Sequence, residues 1–233
     1  MLGPLDYLVW LSGFILEAGV VVCVIFSRSL TRYYPIALYM FSAAAVQCLH
    51  FSCIAEFGIS SPQYHSLYYY SESVLTVLLF CVIIHLYQQV FAVMNASRYI
   101  RGGASILILA TALFAYVVVR THSDHLTKQF VIEFGQDLYF VGVVLTYLLW
   151  AAILYFHETR ARLIHLVLAL GLYFSGTAVT YAVRNLFPSL EPSFYQWALP
   201  VFGILLPLAW SVTFWKVPED ARILAYEFAG RTQ

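Results

Sequence analysis

SLYYYSESVLTVLLF, residues 66–80, sets a glutamate inside the opening turns of an apolar run. Tyr68, Tyr69 and Tyr70 stand just before Glu72, and hydrophobic residues continue to about residue 94. A helix needs about 20 predominantly apolar residues to cross the hydrocarbon core of a bilayer, and this run is long enough. A charge at the centre of such a helix costs about 2.5–3.5 kcal/mol, so it turns toward the bundle interior and finds a partner. The stretch therefore reads as a membrane-spanning helix whose carboxylate belongs to a buried polar network.

The rest of the chain agrees. Its 233 residues are 62% hydrophobic and 10% charged, where soluble domains carry about 25% charged residues. Mean hydropathy is +0.80. A chain this apolar has too few polar groups to cover its surface in water and takes the lipid bilayer as its partner. A net charge of +0 gives no basic footprint for a nucleic-acid partner.

Seven stretches are long and apolar enough to span: approximately 5–26, 36–57, 66–94, 104–121, 129–156, 163–186 and 194–215. Pro35, Pro62, Gly102, Gly103, Pro188 and Pro192 punctuate the breaks between them. The fourth is the shortest. The pattern predicts an all-α, seven-helix transmembrane domain over 1–215 and a short tail over 216–233. The tail reads equally as a frayed end or as an amphipathic interfacial helix, with Pro218, Glu219 and Asp220 as its start.

Basic residues set the orientation. Arg28, Arg32, Arg98, Arg101, Arg160, Arg162, Lys216, Arg222 and Arg231 fall on one side. Arg120, Lys128 and Arg184 fall on the other. The expectation is an outside N-terminus and a cytoplasmic C-terminus in a bacterial inner membrane. The N-terminus lacks the basic region of a cleavable signal peptide, and the first helix is expected to serve as its own insertion signal.

Cys23, Cys48, Cys53 and Cys81 all lie in apolar runs and read as small packing residues, with neither disulfide nor metal-ligand spacing. His85, His157, His165 and Glu158 could approach one another on the cytoplasmic side, but their spacing matches no metal motif. No cofactor and no catalytic constellation is expected.

The other polar residues within the spans map to the outer half or the middle. Glu17 lies about 18 Å into the first span and Glu72 about 9 Å into the third, at a rise of ~1.5 Å per residue. Gln47 and His50 share a face of the second span. Glu133, Gln136 and Asp137 follow at i, i+3 and i+4 in the fifth, where like charges need a proton, a cation or a basic side chain between them. Arg184 is the nearest counter-charge. The expected site is an outward-facing polar pocket holding Glu17, His50, Glu72, Glu133, Asp137 and Arg184, lined by Tyr69, Gln136 and Tyr181. Pro200 and Pro207 are expected to bend the seventh span.

In topology the chain resembles microbial rhodopsins and G-protein-coupled receptors. It lacks a lysine inside the last span, since its lysines are Lys128 and Lys216, and it lacks the receptor triplet after the third span. TRYYPIALYMF at 31–41, YYYSESV at 68–74 and IIHLYQQVFA at 83–92 resemble uncharacterised bacterial seven-helix membrane proteins. That resemblance implies a similar fold and carries no activity. The functional expectation is sensor- or receptor-like binding of a small molecule or ion, with signalling through a separate protein partner. The alternatives are a small-solute or proton-coupled transporter and a structural subunit of a membrane complex.

Overall fold

A computed structural model of the protein describes residues 4–91, 126–186 and 192–222, with side chains for 7–91, 136–184, 186 and 198–222. Within them lie six helices: α1 (Pro4–Phe26), α2 (Tyr34–Phe57), α3 (Pro62–Val90), α4 (Leu126–Tyr155), α5 (Ala161–Leu186) and α6 (Pro192–Lys216). All six are long and apolar enough to cross a membrane. The expected span at 104–121 lies outside the described residues.

Local chemistry sets the helix ends. Ser61 Oγ accepts from the Tyr64 amide at 3.1 Å, and Pro62 follows it where no amide hydrogen is needed. This start precedes the expected one by four residues and places Glu72 about 15 Å into α3. Helix α2 stops at Gly58, whose φ of +79° is open to glycine at no steric cost. Arg28 and His157 also adopt positive φ, in the tight turns that join α1 to α2 and α4 to α5.

The helices form a closed ring. Each packs on its neighbours in chain order, and α6 returns to pack on α1. Helices α3 and α4 lie side by side and run in the same direction: Glu72 of α3 meets Tyr139 midway along α4, while Tyr87, later in α3, bonds the carbonyl of Leu145, later in α4, at 2.6 Å.

The ring is solid in one half and hollow in the other. The solid half is an apolar core of Val24, Ile36, Ile83, Leu86, Leu149, Ile153, Leu166, Leu170 and Trp210, all essentially buried. Trp210 donates its indole N–H to the Leu166 carbonyl at 3.2 Å, so no donor is stranded. Lipid tails are as apolar as leucine, so helices in a bilayer associate through close fit rather than water exclusion. Gly142 and Gly176 supply that fit. A methyl group on Gly142 would overlap the Phe174 ring, and one on Gly176 would overlap Phe202. Thr146, Thr180 and Thr213 return their hydroxyls to the carbonyls of Gly142, Gly176 and Ala209, which hides them in an apolar setting. The outer faces expose hydrophobic side chains such as Leu8, Ile15, Val144 and Leu172, a surface suited to lipid.

Below the solid half, a basic end ties the turns together. Arg162 is only 4% exposed. It donates from Nε and Nη2 to the Val217 carbonyl at 2.9 and 2.7 Å, and from Nη1 to Ser29 Oγ at 2.6 Å. Glu219 receives Arg32 at 2.7 Å and lies 3.7 Å from Arg162. Arg160 pairs with Glu158 at 2.7 Å and donates to the Gln89 carbonyl at 2.8 Å. The Arg32 carbonyl can only accept, so His85 meets it at 2.6 Å with the proton on Nε2.

The described residues place three groups that the sequence had singled out. Glu219 and Asp220 form a turn rather than the first turn of a tail helix, because Arg32 and Arg162 hold the Glu219 carboxylate; the residues after 222 lie outside the described ones. His85 and Glu158 bind the backbone and Arg160, and among the described residues no group of three or more His, Cys, Asp and Glu is arranged to hold a metal. Cys48 and Cys81 are exposed on the outside of the ring instead of packing within it.

Candidate functional site

The hollow half encloses a cavity of about 640 Å³ to which all six helices contribute side chains. From α2 come Tyr39, Met40, Ala43, Val46, Gln47 and His50, at steps of one, three and four residues that trace one helical face. Tyr68, Glu72, Leu75, Thr76 and Leu79 do the same on α3, and Tyr173, Thr177 and Tyr181 on α5. Helix α4 gives Tyr139; α1 gives Val9, Trp10, Gly13 and Glu17. Helix α6 supplies Leu199, Pro200, Gly203, Ile204, Leu206 and Pro207. Both prolines expected to bend this helix face the hollow.

The walls differ in character. Polar atoms gather on α1, α2, α3, α4 and α5, while the described lining side chains of α6 are apolar. The polar side is organised around two carboxylates.

Glu72 accepts from the Tyr139 hydroxyl at 2.6 Å. The Tyr139 proton is thereby committed, so the Tyr173 hydroxyl, 3.3 Å away, donates to Tyr139. Tyr39 lines the same cavity from α2. Two phenols, from α5 and α4, thus pass hydrogen bonds toward one carboxylate on α3. Such chains polarise one another, each bond strengthening the next. Thr76 closes its own hydroxyl on the Glu72 carbonyl at 2.8 Å.

Glu17 accepts from Gln47 Nε2 at 2.8 Å. The amide fits there because Gly13, one turn before Glu17, has no side chain: a Cβ at Gly13 would lie 3.3 Å from Gln47 Nε2. Glu17 Oε2 and Gln47 Oε1 are buried without a hydrogen-bond partner among the described residues. Buried acceptors are nearly always satisfied, so two side by side at a cavity wall mark a place for an absent donor.

His50 completes the polar rim. Ser71 Oγ donates to the Tyr68 carbonyl at 3.0 Å, so its oxygen accepts from His50 Nε2 at 2.9 Å, which fixes the tautomer. Tyr64 and Tyr68 hold the imidazole from two sides, with ring centroids 5.8 and 5.6 Å away.

The chain matches no protein-family model, no curated protein and no solved structure. The site must be read from its own chemistry.

Of the residues singled out from sequence, Glu17, His50, Glu72 and Tyr181 line the cavity. Tyr69, Gln136, Asp137 and Arg184 are not among its lining residues. Helix phase explains the α4 pair. Tyr139 faces the hollow, and Asp137, two residues earlier, lies about 200° away around the helix. Gln136 shares the side of Tyr139 more closely but sits a turn nearer the helix start. Arg184 lies a turn beyond Tyr181 toward the end of α5, and Tyr69 lies beside the lining face of α3. The side chain of Glu133 is outside the described residues. Sequence reading had missed Tyr173 and Thr177, although Tyr173, Thr177 and Tyr181 repeat every four residues and Tyr181 had been noted.

At the floor the cavity meets Leu79 and Leu206, and Phe80, Phe174 and Trp210 are buried just beyond them. No lysine or arginine is among the described lining residues.

Proposed function

We propose that this protein is a ligand-binding membrane protein of sensor or receptor type, whose cavity receives a small molecule from outside the cell. The observation that carries the reading is the asymmetry of the bundle: a polar hollow in one half, closed beneath by apolar packing. Small-molecule sites are concave, largely apolar pockets of about 300–1,000 Å³ with a few convergent polar groups, and the hollow fits that description.

The orientation rests on charge. Arg28, Arg32, Arg160, Arg162, Lys216 and Arg222 gather at the end opposite the cavity, and basic residues favour the cytoplasmic side. On this reading the cavity opens outward in a bacterial inner membrane. The count of seven spans rests on direction. Helices α3 and α4 run the same way, which supports the reading of the apolar stretch 104–121 as a further span between them. Signal transfer then falls to a separate protein partner at the basic end.

The transporter reading calls for polar groups continuing into the second half. The closely packed core around Trp210, Phe80 and Phe174 favours binding over passage. The test is to reconstitute the protein in nanodiscs and in liposomes, and to screen small molecules by thermal stabilisation and by flux. Stabilisation without flux supports the proposal; flux of a stabilising solute replaces it with a carrier.

A further inference from the structure

We propose that the cavity selects a protonated primary amine carried on an apolar body. This rests on the reading of the hollow as a binding site and names the chemistry that it takes.

The polar side is rich in acceptors and poor in cations. Glu17 Oε2 and Gln47 Oε1 are buried acceptors with no donor among the described residues. Glu72, the second carboxylate, receives its hydrogen bond from a neutral phenol. Two carboxyl groups face one hollow with no lysine or arginine among its described lining residues, so ionising either one calls for a partner of positive charge. A ligand bearing positive charge supplies what is missing. An anionic ligand would find no lysine or arginine to pair with among the described lining residues.

The aromatic lining points the same way. Tyr68, Tyr139, Tyr173, Tyr181 and Trp10 surround the hollow. Aromatic faces carry negative electrostatic potential and attract an ammonium group within about 6 Å of the ring centroid.

Hydrogen-bond capacity narrows the class. A quaternary ammonium offers no N–H. A primary ammonium offers three, and can satisfy the orphan acceptors on Glu17 and Gln47 together. The α6 wall of Leu199, Pro200, Ile204 and Pro207 offers nothing polar from its side chains, so the remainder of the ligand is apolar. The volume of about 640 Å³ leaves room for such a body.

The experiment measures binding to the protein in nanodiscs by calorimetry, using 4-phenylbutylamine, its trimethylammonium analogue, 4-phenylbutanol and 4-phenylbutyrate at neutral pH. The amine is expected to bind at least about tenfold more tightly than the other three, a discrimination typical of a site whose buried polar groups are otherwise left unpaired. Glu17→Gln and Glu72→Gln are each expected to weaken the amine about tenfold or more and to leave the alcohol unchanged.

Gly203→Leu provides the separate control. It lines the hollow, and a Cβ there meets nothing within 4 Å, so a larger side chain enters open space. Loss of amine binding in this variant, with thermal stability retained, locates the amine in the cavity. If the alcohol or the carboxylate binds as well as the amine and Gly203→Leu abolishes that binding, the amine preference is overturned while the binding site stands. If none of the four binds, or if Gly203→Leu changes nothing, both readings fall.

Discussion

Tyr139 of α4 gives its phenolic proton to Glu72 of α3 at 2.6 Å, and so ties the two parallel neighbours of the ring at the cavity wall. The bond satisfies one oxygen of a carboxylate set deep in a membrane-spanning helix. It also ends the hydrogen-bond chain that begins on Tyr173. Tyr139→Phe keeps the ring and removes the donor. Leaving a buried acceptor unsatisfied costs about 1–3 kcal/mol, more for a charged group. Thermal unfolding in detergent is expected to show that loss. The double variant with Glu72→Gln is expected to lose less than the sum of the two singles, with a coupling of about 0.5–3 kcal/mol. Strict additivity would mean that the bond contributes nothing.

Arg162 anchors the chain that leaves α6. It is buried, grips the Val217 carbonyl with two N–H groups and reaches Ser29 with a third. Arg162→Ala strands the Val217 carbonyl and removes one of the two cations facing Glu219. Breaking a buried ionic arrangement by deleting one partner costs about 3–5 kcal/mol; Glu219 is partly exposed here, which places the expected loss at the lower end. Arg162→Lys cannot reproduce the planar fork and is expected to recover only part of it. Faster tryptic cleavage after Arg222 in both variants, with the cavity still able to bind ligand, is the expected signature.

Glu158 links the basic end to acid sensitivity. The Arg160 guanidinium beside it holds its carboxyl below the usual value of 4.5. A lowered folded-state value means stability that is complete above the unfolded carboxylate range and lost as pH falls through the folded value. The protein is therefore expected to lose stability progressively below about pH 4.5. Glu158→Gln is expected to be less stable near neutrality and to show a shallower decline on the acid side. Parallel curves for the two proteins would remove Glu158 from the account.

Gly142 and Phe174 set how closely α4 and α5 approach. Gly142→Ala forces the buried Phe174 ring to move, and overpacking of this kind costs about 1–3 kcal/mol. Phe174→Leu in the same chain is expected to restore part of the loss, because the shorter side chain vacates the contested space. A fully stable Gly142→Ala protein would show that the helices can separate at no cost.

Much of the architecture was readable from sequence because bilayer thickness imposes one length on every span. The proline and glycine breaks then mark the ends: Ser61-Pro62 and Gly58 behave as their residue types dictate. The site was harder to read. In a water-soluble bundle, hydrophobic periodicity tells inside from outside. In lipid both faces of a helix are apolar, so periodicity gives spacing but no absolute direction. Gln136 and Asp137 looked like part of a stripe aimed inward, yet among the described side chains of α4 it is Tyr139 that lines the hollow. Arg184 seemed a natural counter-charge for the acids, and it does not line the cavity. Glu17 and Glu72 were legible because a carboxylate so deep in a span has few places to go. Their partners Gln47 and Tyr139 were visible only as residues of the same zone, since no spacing within one helix reveals which residue of a neighbour lies opposite. Glu219 looked like a helix-starting acid, and the two arginines that hold it come from distant turns.

The central claim is that one half of the bundle is hollow and open to the outside while the other is sealed. The most direct measurement labels single cysteines, in a chain whose four native cysteines are replaced, with a membrane-impermeant maleimide applied to the outer side of sealed vesicles. Gly203→Cys, at the cavity wall, is expected to label rapidly in the folded protein. Leu170→Cys, in the solid half and fully buried, is expected to label only after unfolding. Resistance at Gly203→Cys, or equal labelling at both positions, would contradict the account.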